Sequence, residues 1–246
     1  MRAPRYPHLV ASATICLPTY NERENLESML RALAPLGVNV LVIDDNSPDG
    51  TGEIADRLAE ELSFVSVLHR AQKEGLGPAY LAGFKRALAD GAEYILEMDC
   101  DFSHNPEDAP RLIAACESGA DLALGSRYVP GGGTENWGRV RRLISVGGSW
   151  YARTLLGVRI RDLTGGFKCY RRAVLERIDL DAIRAKGYAF QIEGTYRTLR
   201  AGFTVVEVPI TFAERTAGHS KMSRAIVLEA MTRVPALRLA ALNGRL

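Results

Sequence analysis

The 246-residue chain carries 31 Lys and Arg against 29 Asp and Glu, a formal net charge of +2, with 47% hydrophobic residues. That length and apolar share fit one α/β domain with a full core, and the near-neutral balance excludes a nucleic-acid-binding surface spread over the whole chain. Cys16, Cys100, Cys116 and Cys169 stand far apart with no C-x-x-C pair, which excludes a zinc ribbon or a dense disulfide framework and leaves reduced thiols in a cytosolic protein as the simple reading.

Residues 1–12 contain Pro4 and Pro7 and little apolar continuity, so they read as a flexible tail and not a signal peptide. No apolar run reaches the ~18–20 residues that a membrane-spanning helix needs. A soluble protein, or one attached only to a membrane surface, is expected.

From Ala13 onward, short apolar runs alternate with helical patterns. Thr14–Leu17 reads as the first buried strand, followed by a helix over Leu26, Met29, Leu30 and Leu33 with Asn21 and Glu24 placed as a capping box. Val38–Ile43 is the second strand. It ends in Asp44 and Asp45 and the turn-forming run Asn46-Ser47-Pro48-Asp49-Gly50, in which Asp49 is placed to cap the next helix. Phe64–Leu68 is the third. Gly75-Leu76-Gly77 has Tyr80 where a dinucleotide fingerprint needs its third glycine, so that motif is rejected.

Tyr94–Met98 is the fourth strand and leads directly into Asp99-Cys100-Asp101. Asn105–Pro106 then supplies a cap residue and a first-turn proline, and Leu122–Leu124 is the fifth strand. This rhythm predicts a mainly parallel sheet flanked by helices, with ligands beyond the carboxyl ends of its strands. Past Gly125 the pattern loosens: a glycine loop at Gly131–Gly133, a helical stretch, Thr164–Tyr170, a helix around Phe190–Leu199, a strand at Thr204–Val208, a loop over Glu214–Lys221 and a terminal helix over Met222–Leu242. Residues 13–246 thus read as one domain, in which 13–128 form a regular first half and 129–246 an appended second half.

Two carboxylates one residue apart at a strand end meet the needs of Mg2+ or Mn2+ on a nucleotide, which takes one or two protein carboxylates beside phosphate and water. A pair of solvated loop aspartates has the same sequence, so Asp99 and Asp101 alone do not decide. The second acidic tip, Asp44 and Asp45, is placed to accept bonds from a base or ribose. Arg215 and Lys221 flank Gly218 on a polar loop suited to closing over anions. The four histidines are too scattered for a zinc site; His104, near Asp101, reads as a solvated loop residue or as one that touches the metal region. Between Asn136 and Arg161 there is no acidic residue, while arginines stand at 139, 141, 142, 153, 159 and 161. Leu143, Ile144, Val146, Trp150, Tyr151 and Leu155 recur there at roughly helical spacing, which suits either an anionic membrane surface or packing on the core.

Leu17-Pro18-Thr19-Tyr20-Asn21-Glu22, Val42 to Thr51, Met98 to His104, Gly125-Ser126-Arg127-Tyr128, Asp162 to Phe167 and Glu214 to Lys221 follow one another in an order that resembles glycosyltransferase family 2. More narrowly, they resemble the dolichol- or polyprenol-phosphate mannose synthases. The resemblance runs from Ala13 to about Met222. It implies a GT-A, Rossmann-like fold and an inverting transfer of mannose from GDP-mannose to a dolichyl or polyprenyl phosphate.

By the same resemblance, Pro18, Tyr20, Glu22, Ile43 and Asp45 surround the guanosine, and Asp99, Cys100 and Asp101 hold the diphosphate, with Asp99 and Asp101 on Mg2+ or Mn2+. Arg127, Arg215 and Lys221 contact phosphates or the reacting sugar, and with Asp101 they form the implied catalytic set. Cys100 stands where relatives commonly carry alanine, and Ser103 where some carry a longer amide. Transfer of glucose or another sugar to a polyprenyl phosphate or a glycan hydroxyl is the rival enzyme reading. A non-catalytic sugar-nucleotide-binding scaffold is the rival of another class. The expected setting is the cytosolic face of a membrane, with peripheral attachment through a separate membrane partner or a fused membrane module.

Overall fold

The computed structural model describes residues 13–185, 187–214, 224–244 and 246. Strands β1 (Ala13–Thr19), β2 (Asn39–Asp44), β3 (Val65–His69), β4 (Tyr94–Glu97), β5 (Leu122–Ser126), β7 (Lys168–Arg171) and β8 (Val205–Pro209) form one seven-stranded sheet, ordered β3-β2-β1-β4-β7-β5-β8. A small second sheet pairs β6 (Gly133–Thr134) with β9 (Thr211–Phe212). All neighbours in the main sheet are parallel except β7, which runs antiparallel to both β4 and β5. The five expected strands of the first half are all present. The antiparallel strand that parts β4 from β5 was not foreseen from the Thr164–Tyr170 segment.

Side chains alternate across this sheet with period two, and each face is covered by helices. Ile15, Leu17, Val40 and Val42 meet α1 (Leu26–Leu33), α2 (Thr51–Glu61) and α4 (Ala109–Glu117) through Met29, Leu30, Leu58, Leu112 and Ile113. Cys16, Leu41, Ile43, Ile95 and Tyr170 point the other way, toward α3 (Leu76–Ala89), α6 (Arg172–Arg177) and α7 (Tyr188–Arg200). A third cluster joins Leu124 to Ala152 and Leu156 of α5 (Arg139–Leu156), Ile192 and Tyr196 of α7, and Val234 and Leu237 of α8 (Arg224–Leu242). Each fully buried leucine here contributes about 1.5–3 kcal/mol relative to exposure. The four cysteines are buried, free thiols.

Gly77 shows why α3 can sit so close: a Cβ there would lie 2.3 Å from the Ala185 carbonyl oxygen and 3.2 Å from Phe190. Of the two glycines of the rejected fingerprint, Gly77 serves helix packing and Gly75 caps the helix at φ +111.

The capping box expected from Asn21 and Glu24 does not form. Asn21 adopts φ +57 and its amide donates to Ser47 Oγ at 3.1 Å, so this loop is tied to the one after β2. The Glu22 carbonyl instead accepts the amides of Asn25 and Leu26, and the helix begins at Leu26. The Asn105 expectation holds: its side chain accepts the Glu107 amide at 3.1 Å ahead of a short 3-10 turn at Pro106–Asp108 that runs into α4.

Candidate active site

Parallel pairing brings the carboxyl ends of β1, β2 and β4 to one edge, with Thr19 opposite Asp44 and Cys16 flanked by Leu41 and Glu97. The loops leaving these ends carry non-glycine residues in the left-handed region, at Asn21, Asn46 and Phe102. Such backbone is costly for a bulky residue and persists only where its surroundings impose it. The chain turns sharply at the strand tips, and the polar groups gather there.

The first two loops are stitched together. Ser47 Oγ donates to Asp44 Oδ1 at 2.6 Å, and the Glu22 amide donates to Thr51 Oγ1 at 3.0 Å. Asp49 accepts the Thr51 hydroxyl at 2.6 Å and its amide at 3.0 Å, the capping expected of it. Burial opposes ionisation of Asp49, but these bonds outweigh it and hold the carboxyl below its usual range. Gly52 admits the helix start to this crowd, since a Cβ would lie 2.9 Å from Asp44 Oδ2.

Asp45 is buried and ion-paired to Arg70, which also grips Glu74. Burial raises the Asp45 carboxyl, against the opposing pull of Arg70. Tyr20 is half-buried with the Lys73 ammonium 3.6 Å above its ring. Ile43 has its side chain fully buried under α3, which leaves its main chain as the part facing the strand tips. Pro18 and Glu22 are half-buried at the same edge. Arg70, one residue past the end of β3, escaped the sequence reading; a cation at a third strand tip was its only signal.

Asp99 is half-buried, whereas Cys100 and Asp101 are buried. Asp101 Oδ1 accepts the Ser103 amide at 3.0 Å, and Asp99 Oδ1 accepts the Tyr80 hydroxyl at 3.2 Å. The Asp99 amide donates to His104 Nδ1 at 3.2 Å. His104 corrects the expectation of a solvated loop residue: it is 1% exposed and stacked on Phe167 with centroids 4.9 Å apart. Its ring fills the floor of the loop and fixes the main chain of the acidic pair. The two carboxylates are hard oxygen donors of the kind that Mg2+ or Mn2+ takes. Among the described residues no third Asp, Glu, His or Cys joins them in a metal-binding group.

Arg127 leaves β5 only 8% exposed, and its Nε and Nη2 each donate to Asp162 at 2.7 Å. Nη2 also reaches Thr164 Oγ1 at 2.9 Å, and the guanidinium lies 5.1–5.5 Å from the rings of Tyr128, Trp137 and Phe212. Glu207 of β8 accepts the amides of Arg161 and Asp162 at 2.9 and 3.0 Å, which locks the loop that holds Arg127. Arg215 and Lys221 lie outside the described residues.

On the α5 side, the buried positions are Ser149, Ala152 and Leu156. Leu143, Ile144, Val146, Trp150 and Leu155 are exposed among the described residues, with Leu143 at 74% and Trp150 at 59%. Packing on the core accounts for Tyr151, which joins the third cluster, and not for these five. No helix of the described residues is long and apolar enough to cross a membrane.

Residues 14–179 match the family model for glycosyl transferase family 2. The chain is 53% identical to polyprenol monophosphomannose synthase of Mycolicibacterium smegmatis over 223 residues, 89% of this chain and 84% of that protein. It is 52% identical to undecaprenyl-phosphate mannosyltransferase of Micrococcus luteus over 227 residues, 92% of this chain and 93% of that one. Among solved structures, it is similar in fold to glucosyl-3-phosphoglycerate synthase of Mycobacterium tuberculosis in complex with Mn2+ and UDP-glucose. The TM-score is 0.67 at 20% identity, over 100% of this chain and 84% of that one. At that identity the likeness speaks for the GT-A fold alone.

Proposed function

Since the chain belongs to glycosyltransferase family 2, we propose that it transfers mannose, with inversion, from GDP-mannose to a polyprenyl or dolichyl phosphate. The observation that carries this reading is the Asp99–Asp101 pair at the β4 tip, next to the stitched loops after β1 and β2. Identity above half to two lipid-phosphate mannosyltransferases supports the choice of sugar and acceptor.

In this reading residues 13–128 take the nucleotide sugar and 129–246 face the acceptor. Pro18, Tyr20, Glu22, the Ile43 main chain and Asp45 surround the guanosine. Asp99 and Asp101 would hold Mg2+ or Mn2+, which neutralises the diphosphate and makes it a better leaving group. Cys100 lies beside it. Arg127, fixed by Asp162, is assigned to the reacting sugar, and Arg215 and Lys221 to the phosphates.

An acceptor phosphate is already anionic at neutral pH and needs no general base, which a hydroxyl acceptor would require. The enzyme's work is then positioning and stabilisation of developing charge. The exposed stripe of α5, with Arg139, Arg142 and Arg153 on the same helix, suits an anionic membrane surface, where a lipid phosphate is presented. We place the protein at the cytosolic face, held peripherally.

The deciding experiment supplies GDP-mannose and UDP-glucose separately with a polyprenyl phosphate. Mannosyl lipid and GDP are the expected products. Transfer from UDP-glucose alone replaces the sugar assignment, and no diphosphonucleoside release from either donor ends the enzymatic reading.

A further inference from the structure

We propose that Tyr80 is a positioning residue that aims the Asp99 carboxylate at its metal ion, an inference that rests on the metal role assigned to Asp99 above. Tyr80 lies on α3, fully buried, with its hydroxyl 3.2 Å from Asp99 Oδ1. A phenol is protonated at neutral pH and donates this bond.

The ring itself has little freedom. It stacks on Phe190 of α7 with centroids 5.9 Å apart and planes within 5°, and on Phe84 one turn along α3 at 6.0 Å. Phe84 in turn meets Tyr170 of β7 edge-on at 5.6 Å. Phe190 of α7 and Phe84 of its own helix therefore clamp the ring, with Tyr170 of β7 backing Phe84, and its only polar atom emerges at the half-buried carboxylate of the acidic pair. The glycine at 77, against the Ala185 carbonyl, sets how deeply this helix sits and hence where the hydroxyl ends.

A metal-binding carboxylate must be held within about 0.5 Å and 10–20° of its productive geometry. Asp101 obtains that restraint from the Ser103 amide in its own loop. For Asp99, the main chain is fixed by His104, while Tyr80 acts on the side chain from across the sheet face. Partners of this kind typically change metal affinity about 10–100-fold when removed.

The test is Mn2+ binding, read by electron paramagnetic resonance in the presence of GDP, on wild type, Tyr80→Phe, Asp99→Asn and the double variant. Thermal melting of each variant checks folding. Tyr80→Phe keeps the ring stack and is expected to weaken Mn2+ binding about tenfold. In the transfer assay its apparent metal activation constant rises, while the rate at saturating metal stays near wild type. The double variant is expected to bind no more weakly than Asp99→Asn alone.

Phe84→Leu, which loosens the same cluster but keeps the hydroxyl, is expected to weaken Mn2+ binding less than Tyr80→Phe does. A folded Tyr80→Phe protein with unchanged Mn2+ affinity, beside an Asp99→Asn protein that has lost it, overturns the role of Tyr80 and leaves the metal reading standing. Equal affinity in wild type and Asp99→Asn removes both.

Discussion

Arg127 and Asp162 form a forked ion pair, two 2.7 Å bonds from one guanidinium to the two oxygens of one carboxylate, both side chains almost fully withdrawn from water. The pair joins the segment after β5 to the loop before β7, and it anchors the Thr164 hydroxyl as well. Its parts are therefore strongly interdependent.

Asp162→Ala leaves that buried guanidinium without its partner, and a loss of about 3–5 kcal/mol in unfolding free energy is expected. The double replacement Arg127→Met with Asp162→Leu is expected to recover a substantial part of the loss, because neither charge then remains. Urea unfolding of the three variants measures both. A single Asp162→Ala change that costs less than about 1 kcal/mol would place the pair among weak surface bridges despite its burial.

Asp101→Asn keeps an oxygen for the Ser103 amide and removes the charge. Mannosyl transfer is expected to fall by at least about a hundredfold, with a melting temperature close to wild type. Chelator added to the wild-type enzyme should produce a comparable loss, restored by Mn2+ or Mg2+. Undiminished transfer by Asp101→Asn with chelator present would remove the cation from the reaction.

Lys168 is fully buried on β7, opposite Glu97 of β4, and donates to the carbonyl and side-chain oxygens of Gln191 at 2.8 and 2.5 Å. Burial pushes its ammonium from 10.5 down to about 8, against the charge of Glu97 that works to keep it up. Between those values the unfolded chain binds a proton that the native one refuses, so this group lowers stability as pH falls from 10.5 to 8 and has a constant effect below. Lys168→Met lacks that penalty. Its stability relative to wild type should improve across the window as pH is lowered, by up to about 3 kcal/mol. A gap between the two proteins that stays constant from pH 10.5 to 8 contradicts the assignment.

The exposed stripe of α5 predicts binding to anionic vesicles at low salt. Leu143→Glu and Trp150→Glu place charge at two of its most exposed apolar positions, and each is expected to reduce co-flotation several-fold without lowering the melting temperature. Equal recovery of wild type and variants with the vesicles would count against this face as the contact.

The repetitive first half was legible because buried parallel strands and amphipathic helices leave local periodicities, and Asp99, Asp101 and Asp45 were legible because acids at strand tips stand next to apolar runs. Tyr80, Arg70 and the partnership of Arg127 with Asp162 were not readable as partners. Each joins side chains from remote segments, and such a pairing imposes no pattern on either neighbourhood. Asn21 misled for the opposite reason: its local pattern was sound, but bonding between the loops after β1 and β2 claimed it. The α5 stripe was periodic under both readings, and its solvent exposure speaks against core packing.

The antiparallel β7 also governs how the chain can mature. During synthesis β4 and β5 emerge well before the segment that must slot between them, because Glu97 pairs with Lys168 and Leu124 pairs with the same residue from the other side. Until residues 168–171 arrive, the nascent sheet has two open inner rims instead of a continuous middle, each able to recruit a stray strand. Closure of that gap draws on contacts distant along the polypeptide, which makes it slower than local pairing. Substitutions in 168–171 should therefore tell more heavily on yield of folded protein than equally buried changes in β2.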